Sequence, residues 1–203
     1  MTNKSDESRQ RLYAVAARLF AERGYDKTSI REVAAAYGVE SATLYYYVKN
    51  KEELLRNICI DTLSESLDGL EAIAAADVSA VEKLQRAAAS HMAALRDGGY
   101  RQRVMLVEMR ALSGENKKQV QRLRDRYDAL LEQVLEQGQQ EQSVRTDVSA
   151  KYLRLALLGL LNWAIFWYRP GKELRPEQLS SMFADLFLSG ASADADATGR
   201  NKR

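Results

Sequence analysis

Apolar residues recur at every third or fourth position along almost the whole chain, and this spacing is typical of amphipathic α-helices. Ala, Leu, Glu, Gln and Arg, which all favour helix, dominate the composition, whereas proline occurs only 2 times in 203 residues. Val, Ile and Thr form no alternating runs, so the sequence does not indicate β-strands. We therefore predict an all-α protein of about nine helices.

The bounds of these helices follow from the periodic segments and from residues that begin or end a helix. Thr28 is the predicted N-cap of the second helix, because its hydroxyl can accept from a free amide of the first turn. Gly24, Gly38 and Gly138 are predicted to end helices. The predicted helices comprise residues 6–23, 29–37, 42–48, 50–75, 78–95, 100–112, 115–137, 148–168 and 176–189.

Cysteine and histidine each occur once, and this argues against several classes of site. Cys59 alone forms no internal disulfide or thiolate metal cluster, and His91 alone argues against a catalytic triad or a multi-His metal site. We predict no metal, no cofactor and no enzymatic activity. A small helical hydrolase is the alternative, but the sequence offers no nucleophile elbow. Residues 1–11 are polar and lack the apolar core of a signal peptide, so we expect a cytoplasmic protein.

Charge is balanced in the N-terminal part of the chain. Residues 1–66 contain ten Lys and Arg and ten Asp and Glu, and the whole chain carries a formal net charge of +2. Clustered positive charge is what attracts a protein to nucleic acid. Any DNA binding must therefore depend on where the cations lie rather than on their number.

Residues 29–48 combine two short helices with a turn at Gly38, and this pattern has two interpretations. One is a helix-turn-helix, whose second helix presents small polar residues to base edges. The other is a helical hairpin whose tyrosines belong to the core. Spacing places Leu44 and Val48 inward and leaves outward Ser41, Ala42, Thr43, Tyr45, Tyr46 and Tyr47. Adjacent helical side chains point about 100° apart, so the three tyrosines cannot all be buried.

Lys51 opens the fourth helix, directly after its predicted N-cap Asn50. A cation is unfavourable at the positive end of a helix dipole, whereas Glu52 and Glu53 suit this position. Lys51 would be better placed beside an anion. Lys51 and the free amides of the first turn together indicate an anion-binding site that a DNA phosphate could occupy.

The segment from Arg9 to Leu55 contains the elements LF-x-E-x-GY, T-S-I-R-E-V-A, GV, T-L-Y and K-E-E-L. These elements resemble the N-terminal domain of the tetracycline-repressor (TetR) family of bacterial regulators. The resemblance favours the helix-turn-helix and implies a double-stranded DNA operator as partner. It implies phosphate contacts by Thr28, Tyr46 and Lys51 and base or groove contacts by Ser41, Ala42, Thr43 and Tyr45. The predicted DNA-binding set also includes Ser29. Departures from the family pattern occur at Glu40, Ala42 and Val48.

The resemblance also implies two domains and a homodimer. We predict a DNA-binding domain at residues 6–66, a ligand-binding and dimerisation domain at 67–190, and a disordered tail at 191–203. The segment Tyr152–Tyr168 supports the dimer independently, because it is apolar on nearly all sides and calls for burial by a partner subunit. It carries Arg154 and is shorter than the about 20 residues of a membrane span. Burial in the core of a monomer is the alternative.

The segment NWAIFWYRPGKELRPEQLSSMFADLFLSG, residues 162–190, resembles the C-terminal end of a TetR branch that senses fatty acyl-CoA or related CoA thioesters. The element WYRP-x-G and a helix that opens at PEQL carry this resemblance. It implies a small-molecule effector with a long apolar chain and an anionic head, which releases the repressor from a palindromic operator. The alternatives are an efflux or stress regulator that senses a hydrophobic drug-like ligand, and a regulator that acts through protein contacts.

Methionine and aromatic side chains suit an apolar chain, and arginines suit phosphates near a pocket mouth. On this basis the candidate effector-binding residues are Met92, Arg101, Met105, Met109, Tyr127, Asn162, Trp163 and Phe166. Each apolar member can instead belong to the core, and each arginine to a solvated face. His91 fits either the core or the pocket.

Overall fold

A computed structural model describes residues 4–169, 171–172 and 174–192 of the chain, and most of them are helical. The prediction of an all-α protein is confirmed. In this described part, β-pairing is limited to one isolated bridge between Val144 and Ser192. The helices are α1 (Lys4–Arg23), α2 (Ile30–Tyr37), α3 (Ser41–Leu44), α4 (Lys51–Ala75), α5 (Ala80–Ala93), α6 (Tyr100–Glu108), α7 (Gly114–Gln140), α8 (Ala150–Trp167) and α9 (Pro176–Ala191).

The third helix is shorter than predicted. The sequence predicted helix over residues 42–48, whereas α3 is a single turn from Ser41 to Leu44. The chain then continues in tightened turns, in which the backbone N–H groups of Tyr47 and Val48 donate to the Leu44 carbonyl at 2.9 and 3.2 Å. These bonds keep Val48 on the same side as Leu44, and both are buried as predicted.

Gly138 lies inside a helix rather than at its end. Because α7 continues to Gln140, the prediction that Gly138 stops this helix is wrong. A Cβ atom here would lie 2.5 Å from Cγ2 of Val144 and 3.2 Å from Cβ of Ala80. The glycine is therefore required by close packing, not by a change of backbone direction.

The remaining differences concern helix ends. Helices α5 and α6 each continue into a 3₁₀ turn, at Ala94–Asp97 and Met109–Ala111. Helix α9 extends to Ala191, two residues beyond its predicted end. Ser192, which the sequence placed in the disordered tail, pairs with Val144 instead. The rest of that predicted tail, residues 193–203, lies outside the described residues.

The described residues fall into two compact units. The first comprises the chain up to Glu65 together with Gly99–Arg124, and the second comprises Ser66–Gly98 and the chain from Asp125 onward. Helices α4 and α7 each contribute to both units. The predicted domain boundary between residues 66 and 67 stays a prediction. The structure adds that α6 belongs to the same unit as the helix-turn-helix.

The first unit is built on one apolar core. Helix α6 packs along α1, and α2 packs against both α1 and α3. Side chains from α1, α2, α3, α4, α6 and α7 are fully or almost fully buried in this core, among them Leu12, Phe20, Val33, Leu44, Leu54, Ile58, Val104 and Val120. Because the short α3 has little stability of its own, this core is what holds it in place.

The second unit packs α5 against α9 and α8, and α8 against α9. Its largest buried side chains include Leu84, Met92, Leu131, Leu135 and Leu157. Arg154, the one charge within Tyr152–Tyr168, pairs with Asp128 and Glu132 of α7, both at 2.7 Å. Among the described residues, no helix combines the length and apolar character needed to cross a membrane.

Candidate functional site

Ser29, not Thr28, caps the first helix of the helix-turn-helix. The Ser29 hydroxyl accepts from the N–H of Glu32 at 3.2 Å, and the Glu32 carboxylate accepts from the N–H of Ser29 at 2.8 Å. This reciprocal capping box lowers the pKa of Glu32, mainly through the bond from the Ser29 backbone. The prediction of Thr28 as N-cap is therefore wrong by one position. Ser29 itself is exposed.

Thr28 closes the loop that leads into α2. Its side chain is only 1% exposed, and its hydroxyl donates to the Gly24 carbonyl at 2.9 Å. Its backbone N–H donates to the carbonyl of Tyr25 at 3.1 Å. Both donors are used inside the protein, so the hydroxyl that the family resemblance assigns to a phosphate has an internal partner instead.

The turn between α2 and α3 depends on Gly38. Its φ of 88° lies in the left-handed region, and its N–H donates to the carbonyls of Ala34 and Ala35 at 3.0 and 3.2 Å. A residue with a Cβ atom is strained in this conformation. Glu40 then occupies the N-cap position of α3, but its side chain makes no capping hydrogen bond. The predicted turn at Gly38 is confirmed.

Residues 41–46 form a short segment, the recognition segment, whose polar and aromatic side chains point outward. Leu44 is fully buried, while Ala42 and Thr43 are exposed and Ser41 is half-buried. Tyr45 is 53% exposed and Tyr46 is 90% exposed. The structure therefore brings together the predicted base-contacting residues Ser41, Ala42, Thr43 and Tyr45, with the predicted phosphate ligand Tyr46 beside them.

Tyr47, the third tyrosine in the row, packs against the rest of the unit. Its ring meets that of Tyr37 edge to face, with the centroids 6.2 Å apart. The Tyr37 hydroxyl donates to the Ser8 carbonyl at 2.9 Å, and the guanidinium of Arg11 lies 5.3 Å from the Tyr37 ring centroid. Tyr47 thus links the end of the recognition segment to α2 and, through Tyr37, to α1.

Lys51 has internal partners. Its Nζ donates to the carbonyl oxygens of Tyr25 and Thr28 at 2.9 and 3.0 Å. The same nitrogen lies 4.2 Å from the centroid of the Tyr25 ring. In this structure Lys51 therefore contacts two carbonyl oxygens and an aromatic face, whereas the sequence suggested an anion as its partner. The contact between Lys51 and phosphate stays a prediction.

The balanced charge of residues 1–66 hides an uneven distribution of ion pairs. Most arginines of the first unit pair with carboxylates close by: Arg9 with Asp6, Arg18 with Glu22, Arg23 with Glu32, Arg56 with Glu53, and Arg101 with Asp61 and Glu65. In each pair the two opposite charges largely cancel in the electrostatic potential at the surface. The cations without such a partner therefore decide whether the surface attracts a polyanion.

Three further cations of the helix-turn-helix were missed by the sequence reasoning. Lys27, Arg31 and Lys49 are exposed, and no ion pair involving them occurs among the described residues. Lys27 and Arg31 flank the capped start of α2, and Lys49 follows the recognition segment. Only the lack of an ion pair among the described residues distinguishes these three from the other cations. A count of charges in the sequence therefore could not identify them.

Helix α4 begins with a second set of caps. The predicted N-cap Asn50 is confirmed, because its Oδ1 accepts from the N–H of Glu53 at 2.8 Å. Glu52 reaches the junction between α6 and α7, where it accepts from the backbone and hydroxyl of Ser113 at 2.8 and 3.0 Å. These bonds lower the pKa of Glu52. The start of α4 is thereby tied to the start of α7.

The predicted effector-binding residues divide between the two units. Arg101, Met105 and Met109 belong to the first unit, where the two methionines are buried in the core that also holds α1. Arg101 is engaged by Asp61 and, at 3.2 Å, by Glu65, so its guanidinium is occupied by carboxylates. Met92, Tyr127, Asn162, Trp163 and Phe166 belong to the second unit.

A partly buried polar chain joins three helices of the second unit. Nε2 of His91 lies 3.0 Å from Oδ1 of Asn162, and Nδ1 lies 3.4 Å from the hydroxyl of Tyr127. Desolvation lowers the pKa of His91 to about 4, against the opposing effect of the Asn162 hydrogen bond. The ring is therefore neutral near pH 7. Because the Asn162 oxygen only accepts, we assign the proton to Nε2 and the Tyr127 hydroxyl as donor to Nδ1.

Helices α8 and α9 expose large apolar side chains. Trp163 is 65% exposed and lies against Phe166, with the ring centroids 5.5 Å apart. The exposed apolar residues of these two helices also include Tyr152, Leu155, Trp167, Met182 and Leu186. An apolar surface of this kind marks an interface. Trp163 and Phe166, predicted to line a pocket, thus lie on an exposed face of α8.

Two families match this chain. Residues 12–58 match the family described as bacterial regulatory proteins, tetR family. Residues 77–191 match the tetracyclin repressor-like C-terminal domain. The first match contains the whole segment from the capped start of α2 to the first turns of α4, and the second contains α5 to α9.

Curated relatives and solved structures agree with this match. The HTH-type transcriptional repressor KstR2 of Rhodococcus jostii is 28% identical, over 93% of this chain and 93% of that protein. The fatty acid metabolism regulator protein of Bacillus subtilis is 23% identical, over 86% of this chain and 91% of that protein. The structure of AibR in complex with isovaleryl coenzyme A and operator DNA is similar with a TM-score of 0.79 and 26% identity, covering 92% of this chain and 98% of that one.

Proposed function

Because the chain belongs to the TetR family of transcriptional regulators, we propose that it is a homodimeric repressor that a small-molecule effector releases from a palindromic operator. The observation that carries the DNA-binding part is the segment 41–46. It turns small polar and phenolic groups outward from a buried core, and the exposed Lys49, for which the described residues show no ion pair, follows it in the chain. Such a surface suits the major groove of DNA.

The proposed contacts to DNA follow the exposure of each side chain. Ser41, Ala42, Thr43 and Tyr45 read base edges or the groove, because small side chains let the backbone approach and Thr43 offers both a hydroxyl and a methyl. Tyr46 donates to a phosphate. Lys27, Arg31 and Lys49 supply the electrostatic attraction, since their charges are not neutralised within the described residues.

Dimerisation supplies the second recognition segment. The exposed apolar faces of α8 and α9 would be costly to leave in water, and a second copy of the same surface covers them in a two-fold arrangement. A two-fold dimer presents two equal segments, so it reads a palindromic site on successive turns of the DNA. Since the family is one of bacterial regulators that bind DNA, the proposed location is the cytoplasm.

We propose a CoA thioester with an acyl chain as the effector. The resemblance of residues 162–190 to acyl-CoA-responsive regulators supports this ligand class, as do the similarity to the Bacillus subtilis fatty acid metabolism regulator and the similarity to AibR, which binds isovaleryl coenzyme A. Within the second unit, Met92, Tyr127 and Asn162 are the proposed lining, because Tyr127 and Asn162 belong to the partly buried polar chain and Met92 follows His91 in the sequence. The second candidate is a hydrophobic drug-like ligand, which the apolar character of the same unit favours.

Release requires that the effector bind the state that does not fit DNA more tightly than the state that does. A differential affinity of about 1–3 kcal/mol is the usual size of such coupling. Acyl-CoA thioesters of increasing chain length should therefore raise the melting temperature and dissociate the protein from a duplex upstream of its own gene. If saturating CoA thioesters of every chain length changed neither quantity, this ligand class would be excluded, and a drug-like ligand with the same two effects would support the second candidate.

A further inference from the structure

The connection between α6 and α7 is fastened to the start of α4. The carboxylate of Glu52, the second residue of α4, accepts from the N–H and the hydroxyl of Ser113 at 2.8 and 3.0 Å. The bond from the Ser113 backbone, and after it a side-chain bond from Asn116, lowers the pKa of this carboxyl. One carboxylate therefore holds the first turn of α7 beside the first turn of α4.

The start of α4 borders the surface that we propose for DNA. Lys51, the predicted phosphate ligand, directly precedes Glu52, and the exposed Lys49 follows the recognition segment. The connection between α6 and α7 and the first turns of α7 belong to the same compact unit as these residues. A lysine is a charge on a flexible four-carbon stem, so lysines in the first turns of α7 can reach toward a duplex bound at this surface.

The connection carries exposed cations on both sides of Ser113. Arg110 precedes it, and Lys117 and Lys118 follow it in the first turns of α7. The ion pairs among the described residues include none of the three. Their charges therefore add to the electrostatic potential at the surface and attract a polyanion.

The carboxylates nearest to the two lysines already have partners. Glu115 pairs with Arg122 at 2.8 Å, and Glu52 accepts from Ser113. The pKa of Glu115 is lowered chiefly by its hydrogen bond with Arg122 and least by the charge of Lys118. Neither carboxylate therefore neutralises the lysines.

We propose that Lys117 and Lys118 contact DNA phosphates beyond those that the helix-turn-helix reaches, an inference that rests on the proposed function. Residues 1–66 carry as many anions as cations, so cations from another part of the chain add substantially to the attraction for DNA. The two lysines lie outside residues 12–58, which match the DNA-binding family model, and within the C-terminal domain match. Part of that domain thus extends the DNA-binding surface without reading base edges.

The test compares three lysine variants that lose the same charge. The probe is a duplex that the wild-type protein selects from a randomised pool, and its affinity is measured over a range of salt concentrations. Lys117→Gln and Lys118→Gln should each lower the salt slope by about two, because each contact contributes about 0.9 and a dimer contains two copies. Lys151→Gln is the control, since Lys151 is exposed in the second unit and should leave the slope unchanged. All three variants should keep the wild-type melting temperature.

Ethylation interference on the same duplex locates the contacted phosphates. The phosphates whose ethylation no longer matters in Lys117→Gln or Lys118→Gln should differ from those lost in Tyr46→Phe. The proposal is overturned if both variants keep the wild-type slope and interference pattern. It is also overturned if they bind DNA normally but lose the rise in melting temperature caused by saturating acyl-CoA, since the lysines would then bind the phosphates of the effector.

Failure of this inference is distinguishable from failure of the proposed function. A wild-type protein that selects no duplex from the pool would reject the proposed function and this inference with it. A selected duplex that all three variants bind with the wild-type salt slope would reject this inference alone.

Discussion

Tyr46 is the most exposed of the three consecutive tyrosines, and its position explains why single residues of this surface have separable roles. Its hydroxyl faces away from the core, whereas the ring of Tyr47 packs on Tyr37. Thr28 was predicted to contact a phosphate like Tyr46, but its hydroxyl donates to the Gly24 carbonyl. Exposure and internal hydrogen bonds thus divide residues that the sequence alone treats alike.

Tyr46→Phe should weaken operator binding by about tenfold, because it removes one hydrogen bond to a charged phosphate. The matched control is Tyr47→Phe, which removes a hydroxyl from a ring whose packing on Tyr37 is retained. Fluorescence anisotropy with a labelled duplex measures both variants. Equal losses in the two variants would refute the assignment of Tyr46 as the phosphate ligand.

His91 should make stability depend on pH. Its folded pKa of about 4 lies below the unfolded value of about 6.5, so the unfolded chain binds the extra proton between these values. Stability is therefore full above pH 6.5 and falls as the pH drops toward 4, by about 3 kcal/mol. In denaturant titrations at several pH values, His91→Gln should show a smaller fall than the wild type across this window. Parallel curves for the two proteins would show that His91 is not buried neutral.

At the scale of elements, the first turn of α4 connects the parts that a DNA-binding surface needs. Asn50 caps the helix, Lys51 holds the loop before α2, and Glu52 reaches Ser113 at the junction of α6 and α7. Arg101 of α6 adds an ion pair with Asp61 of α4. Helix α6 is thereby fixed to the helix-turn-helix unit through charged contacts as well as through the apolar core.

Gly38→Ala should destabilise the protein by about 1–2 kcal/mol, because alanine is strained at a φ of 88°. It should also weaken DNA binding, since the turn sets the direction of α3. Gly190→Ala is the control, because Gly190 lies in helical backbone with no atom within 4 Å of an added Cβ. Thermal unfolding separates the two variants. An unchanged melting temperature for Gly38→Ala would contradict the left-handed turn.

The elements were predictable from sequence because helical periodicity and caps are local signals. Asn50 and the turn at Gly38 illustrate this, since each acts on amides within one turn of itself. The N-cap of α2 was predicted one position too early, at Thr28. Thr28 and Ser29 both carry a hydroxyl that can cap a helix, and only the backbone geometry decides between them. The partners of Lys51 and Arg101 could not be predicted, because they come from segments distant in sequence, the loop before α2 and helix α4, and are set by packing.

At the scale of the whole molecule, the exposed apolar residues of α8 and α9 are the strongest sign of an assembly. They include Trp163, Leu155 and Leu186, whose side chains are all exposed to water in a single chain. Arg154 of α8 is buried and pairs with Asp128 and Glu132. The large exposed side chains of α8 between Tyr152 and Trp167 are therefore apolar and suited to a second copy.

Trp163→Glu should convert the dimer into a monomer, because it places a charge in the centre of the apolar face. Lys151→Glu is the matched control, since this exposed residue at the other end of α8 is already charged. Sedimentation equilibrium measures the mass of each variant. A dimeric Trp163→Glu protein would show that the interface lies elsewhere.

The central claim is that a dimer reads DNA through two copies of segment 41–46. Hydroxyl-radical footprinting on a duplex that the wild-type protein selects from a randomised pool tests it most directly. The wild-type protein should protect two symmetric half-sites whose centres lie about one helical turn, or a multiple of it, apart. Thr43→Ala and Tyr45→Ala should change the preferred bases within both half-sites. A single asymmetric footprint, or base preferences that both variants leave unaltered, would contradict the account.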